Sequence, residues 1–262
     1  MGKNKTRDLI LMATAIIFLS LGKLIAAMPF LTFLGLAPLF TLFYNRQKEA
    51  SAKLSLYVKI FIVLATTFLL WNAAYSNENL ISHIQPVFHA IIMLLPFAIY
   101  GFTNKYARNR LGFFTIPIYW LALEYLLLQF QPVFAGFFLG SVFSDHPELI
   151  SWNIYTGFLG VSLWILIINI LLFYCVFKDN ALFNGNIRWA GLIAAIIVTC
   201  VPFFLATDAI AITHKDLVSG GSALEKQAYG SSEFIGKTAV WISVLLLLYS
   251  FVKREVRTNE RP

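Results

Sequence analysis

Charge is what this sequence has least of. Asp, Glu, Lys and Arg make up only 13% of its 262 residues, against about 25% in a soluble globular domain. Too little charge is left to cover a water-exposed surface, so a water-soluble domain is excluded. A disordered chain is excluded with it, because disorder needs low hydrophobicity and high charge. Cysteine is almost missing as well. Cys175 and Cys200 sit inside apolar runs, which gives neither a disulfide framework nor a metal-binding spacing. Their neighbours are Tyr, Val and Thr, with no base to activate a thiol. The four histidines, His83, His89, His146 and His214, share no ligand spacing with a cysteine or carboxylate, so no metal and no cofactor is expected. Gly-x-Ser-x-Gly, phosphate-loop and His-Glu-x-x-His motifs are absent, as are internal repeats.

What the sequence does have is long apolar runs. Apolar residues make up 59%, 25 of them phenylalanine, and mean hydropathy is +0.74. The runs are continuous rather than alternating, which excludes a membrane β-barrel. A helical span needs about 20 mainly apolar residues. Eight stretches qualify or nearly do: 9–27, 29–44, 55–75, 86–103, 113–130, 157–177, 187–207 and 234–252. The first two are separated only around Met28 and Pro29. Proline ends or kinks a helix, so they are expected to form two helices in a tight hairpin. The fold class is all-α: a single polytopic bundle over 1–262 of about eight transmembrane helices.

The basic residues orient that bundle. All 20 Lys and Arg except Lys23, Lys215, Lys226 and Lys237 fall on one side if the spans alternate. Seven acidic residues (Glu78, Asp145, Glu148, Asp208, Asp216, Glu225, Glu233) fall on the other. By the positive-inside rule both termini are cytoplasmic. The net charge of +7 is therefore a signal of topology, and no nucleic-acid partner is expected. The first apolar stretch is longer than a typical signal-peptide core, so cleavage is not expected.

Two outer segments stand out. Residues 129–155 contain no Lys or Arg and begin with the apolar run Pro132–Gly140. That run is too short to span and too apolar for water, so it is read either as a re-entrant piece or as a loop packed over helix ends. Residues 208–233 are polar, with flexible points at Ser219–Ser222 and Gly230–Ser232. They are too few to enclose a core.

Within the spans Glu124 is the most costly residue, and an ionisable group at depth is a functional candidate. It lies four residues after Trp120, on the same helix face. The alternative is a packing lock against Asn72, His89 or a tyrosine hydroxyl. Asn72 and Asn169 read as interhelical hydrogen bonders, Lys23 as a residue snorkelling outward, and Gly157, Gly160 and Ser162 as points of close helix approach.

An ordered set of residues then carries a resemblance. It comprises Ile118–Tyr125 with Trp120, Glu124 and Tyr125; Leu139-Gly140; Trp152; and Tyr155–Asn169 with Gly157, Gly160 and Ser162. Supporting pieces are Phe30–Leu39, Leu70-Trp71-Asn72 and Gly230–Gly236. Together they resemble the membrane domain of bacterial apolipoprotein N-acyltransferases, over nearly the whole chain. The resemblance implies a multi-pass protein of the bacterial inner membrane, linked to lipoprotein processing. Its candidate lipid or helix-packing residues are Trp71, Asn72, Trp120, Glu124, Tyr125, Gly140, Trp152, Gly157 and Gly160.

The departures are as informative. The family inserts a nitrilase-like domain with a Glu–Lys–Cys triad between its seventh and eighth helices. Here that position is 208–233, which holds Lys215, Glu225 and Lys226 but no cysteine. A short loop does not hold groups to the tolerance catalysis needs, so no catalytic residue is assigned. The family's Pro-Trp pair before Leu-Gly is replaced by Ala135-Gly136. The expected role is a non-catalytic protein that binds membrane phospholipid or lipoproteins, or docks a separately encoded acyltransferase domain. The alternatives are an active N-acyltransferase with an unconventional nucleophile and a small transporter using Glu124.

Overall fold

The structure, a computed structural model, describes residues 2–47, 53–73, 80–107, 112–130, 132–178, 187–204 and 223–259. Eight long helices run alternately up and down among the described residues. They are α1 (Gly2–Leu24), α2 (Thr32–Gln47), α3 (Lys53–Ala73), α4 (Leu80–Ala107), α5 (Thr115–Phe130), α6 (Phe158–Leu172), α7 (Trp189–Phe204) and α8 (Ala223–Asn259). No strand occurs among the described residues. Five stretches are long and apolar enough to cross a membrane unaided: Leu54–Ala73, Ile84–Tyr106, Gly112–Phe130, Phe158–Phe177 and Ser231–Val256. α2 and α7 have 16 residues each, short of the usual span. α1 is long enough but carries Arg7, Asp8 and Lys23. The protein is a multi-pass membrane helix bundle.

The α1–α2 hairpin forms as expected, turning through a short 3-10 helix at Pro29–Leu31. Its helices approach closely because residue 35 is glycine. A Cβ there would stand 2.5 Å from Leu19 Cγ, and small residues of this kind set helix contacts in lipid. On the side where α1 begins, Asp8 ties three helices together. Its carboxylate meets Arg46 of α2 at 2.8 Å and Lys59 of α3 at 2.7 Å. Above this triad the core is aromatic, with Phe40, Phe43, Phe97, Phe113 and Phe173 buried together.

Prolines inside helices shape the bundle rather than ending its elements. Pro38 lies within α2, where it lacks an amide hydrogen and crowds the carbonyl one turn back. Asn169 of α6 binds the first turns of the same helix, just before the proline. Its Oδ1 accepts from the Leu36 and Ala37 amides at 2.8 and 3.0 Å, and its Nδ2 donates to Thr32 O and Ile165 O at 2.9 Å. A buried asparagine that bonds across to a neighbouring helix in this way ties α6 to α2 within the membrane. The sequence places the start of a span at Pro86, yet α4 begins at Leu80 and carries Pro86 and Pro96 inside it.

A second correction concerns α8. The sequence leaves 208–233 room for only a turn or two of helix, but its last part is helical from Ala223 and continuous with the last span, so α8 is 37 residues long. Ser231 and Ser232, read as flexible points, are fixed: the Ser231 hydroxyl donates to Ile154 O at 2.8 Å, and Ser232 Oγ accepts from Phe158 N at 3.0 Å. Residues 205–222, with Lys215, His214 and Ser219–Ser222, lie outside the described residues.

A re-entrant turn held by Glu124

Between α5 and α6 the chain makes three 3-10 turns, Pro132–Phe137, Leu139–Phe143 and Pro147–Ile150, and one helical turn, Asn153–Thr156. The segment combines the two geometries open from the sequence: it folds back beside α5 at Leu139 and covers the end of α1 at Ser141. Leu139–Phe143 is buried and reaches the level of Glu124, six residues before the end of α5, or roughly 9 Å along its axis.

Glu124 is fully buried. Its Oε1 accepts from Trp120 Nε1 at 3.0 Å and from the Leu139 amide at 3.1 Å. Trp120 and Glu124 share a face, as the i, i+4 spacing requires. Oε2 is buried without a hydrogen-bond partner among the described residues, and Ser162 lies against the same carboxyl. The next amide, Gly140 N, donates to Ser162 Oγ at 2.9 Å. Gly140 permits this approach, since a Cβ would stand 2.9 Å from Phe158 O. The partners foreseen for Glu124, namely Asn72, His89 and a tyrosine, are not the ones it uses.

Lys23 grips the same turn from α1. It is only 5% exposed, and its Nζ donates to Ser141 O at 2.6 Å and Ser141 Oγ at 3.1 Å. The expected snorkelling does not occur. The ammonium finds acceptors inside the protein, and the turn is pinned by one buried carboxyl and one buried ammonium. Neither Ser141 nor Lys23 was legible as a pair, because 118 residues separate them in sequence.

The other candidate residues divide. Gly157 has φ 69° and ψ −177°, a conformation open essentially to glycine alone. A Cβ on it would stand 2.3 Å from Ser232 N, so α8 seats directly on this glycine. Tyr125 is buried against Gly236 of α8. Trp152 and Gly160 line an apolar groove of about 270 Å³ with Trp164, Val198, Pro202 and Ile235. Trp164 Nε1 donates to Val198 O at 2.9 Å. Trp152 Nε1 is buried with no partner among the described residues. Trp71 is elsewhere: its indole donates to Leu19 O at 3.0 Å. Asn72, read as an interhelical hydrogen bonder, is half-buried and bonds to no described residue. Asn169 alone fulfils that expectation. No group of three or more metal-ligating side chains forms among the described residues.

The sequence model of the apolipoprotein N-acyltransferase N-terminal domain matches residues 13–171. The chain belongs to that family. The matched stretch runs from α1 through α6 and contains the whole Glu124 network. A comparison with curated proteins and another with solved structures found no match. In this N-acyltransferase-family chain the motif residues Trp120, Glu124, Gly140 and Ser162 thus form one hydrogen-bonded unit. It fixes the re-entrant turn beneath the groove-lining Trp152.

Proposed function

We propose that this protein is a non-catalytic lipid-binding member of the family, acting beside lipoprotein processing in the bacterial inner membrane with both termini cytoplasmic. The observation that carries the reading is the groove bounded by Trp152 and Gly160. Its walls are apolar, and it opens between α6, α7 and α8, flanked by the rings of Trp152 and Trp164. An acyl chain fits the apolar walls, whose burial against lipid tails needs no polar partner. Single-domain organisation over 1–262 and docking of a separately encoded acyltransferase domain belong to the same proposal. Supporting the non-catalytic part, Cys175 is packed under α7 against Gly191 and Cys200 lies on an apolar groove wall, neither with a base beside it among the described residues. Glu124 lines neither groove and instead bonds the Trp120 indole and the Leu139 amide, which supports a packing role over a transport site.

Native mass spectrometry of the detergent-purified protein tests this. The wild type is expected to retain phospholipid, and Trp152→Ala and Gly160→Leu, which remove and fill its wall, to lose most of it. A wild type that retains none overturns the lipid-binding reading. A covalent acyl adduct formed from labelled phospholipid overturns the non-catalytic one.

A further inference from the structure

The end of the bundle opposite the re-entrant turn holds a second cavity. It measures about 530 Å³, well within the size of small-molecule sites. Its walls come from the ends of α2, α3 and α4 and from the 3-10 turn Gly112–Phe114. Tyr57, Tyr100, Gln47 and Asn104 all line it, and their phenol and amide groups hydrogen-bond to no described residue. Tyr100 is only 3% exposed as a residue, yet it forms part of the cavity wall. Glycine keeps the space open: a Cβ at Gly101 would stand 2.9 Å from Tyr57 Oη and 4.0 Å from Gln47 Nε2.

Charge and position narrow the occupant. Lys105 lies at the rim, its Nζ 5.0 Å from the centre of the Tyr106 ring, and Arg254 of α8 stands over the same ring at 5.8 Å. The interior is neutral but rich in donors, and Phe113 and Tyr100 pack 4.9 Å apart as its aromatic floor. The one charged side chain among the described lining residues, Lys105, selects an anion. Phenols and amides behind it suit a ligand dense in oxygens. Gln47 ends α2 and Lys105 lies two residues from the end of α4, which places the mouth at head-group depth on the basic side.

We propose that this cavity binds the glycerol-phosphate head group of an anionic phospholipid from the leaflet on the amino-terminal side. Lys105 meets the phosphate, and Tyr57, Tyr100, Gln47 and Asn104 hydrogen-bond its oxygens and hydroxyls. The site lies at the other end of the bundle from the Trp152 groove, and neither depends on the other.

The test titrates the full-length purified protein with phosphatidylglycerol, phosphatidylcholine, glycerol 3-phosphate and inorganic phosphate, read by native mass spectrometry. Phosphatidylglycerol is expected to bind in preference to phosphatidylcholine. Lys105→Gln and Tyr100→Phe should each weaken it about tenfold, the effect of one lost hydrogen bond to a charged group. Gly101→Leu should abolish it by filling the cavity, and Trp152→Ala should leave it unchanged. If Gly101→Leu does not fold, the other two variants decide, since each removes only a single polar group. Equal binding of the two lipids overturns the proposal. So does unaltered binding in Lys105→Gln and Tyr100→Phe together, or displacement by glycerol 3-phosphate or phosphate at matching concentration.

Discussion

Glu124 shows how far a single costly residue can be read. Its cost at depth and its face shared with Trp120 follow from spacing alone. Its role follows only from where the chain returns, because Leu139 and Ser162 lie 15 and 38 positions away. Two buried donors, Trp120 Nε1 and the Leu139 amide, converge on one oxygen. Glu124→Ala strands both. At about 1–3 kcal/mol for each unsatisfied group, the expected loss is roughly 3 kcal/mol. Glu124→Gln offers an amide oxygen in the same place and is expected to cost less than about 1 kcal/mol. Thermal melting in micelles measures both. An Ala variant as stable as wild type would show that the carboxyl does not hold the turn, and a Gln variant as damaged as Ala would assign the effect to charge. Lys23 teaches the converse. Near a helix end it reads as a snorkelling side chain, and only the arrival of Ser141 turns it inward.

At the scale of elements, the apolar runs located the helices because lipid forces every backbone group into internal hydrogen bonds. The boundaries were harder. Pro86 signals a helix start in water, yet here it sits in the second turn of α4. The serines and glycines preceding the last span signal a loop, yet Ser231 and Ser232 are the contact through which α8 joins the re-entrant region. Polar small residues that close a helix interface look like linker composition when the partner helix is not in view. Gly157 is that partner. Gly157→Ala forces a side chain into a conformation costing about 1–3 kcal/mol for residues other than glycine, and drives Cβ against the Ser232 backbone. The expected result is a melting transition lowered by several degrees and increased protease access to α8. An unchanged protein would mean that α8 is held by its Tyr125–Gly236 crossing instead.

For the whole molecule, the fold class and the family were legible because both rest on patterns local in sequence: run length, charge bias and ordered motifs. The two cavities were not, since each gathers side chains from three or more helices. The same holds for the clasp that joins the re-entrant region to the α1–α2 hairpin. His146 Nε2 contacts Ala26 O, and its Nδ1 lies 3.1 Å from Glu148 Oε1. The backbone carbonyl of Ala26 is the main cause holding the imidazole above its ordinary range, with Glu148 adding to it. Glu148 is itself held low, first by its own backbone amide and then by His146. A histidine raised in the folded state contributes below its unfolded value and loses that contribution as pH rises through the folded one. A depressed glutamate contributes above its unfolded value and loses it as pH falls through the folded one. The clasp is therefore expected to be firmest from about pH 4.5 to 6.5 and to weaken toward pH 8. Hydrogen exchange over 143–150, corrected for the intrinsic pH dependence of the rates, should show protection falling between pH 6 and 8. His146→Gln should remove that pH dependence, and protection that stays flat in the wild type would show that the imidazole carries no charge in the clasp.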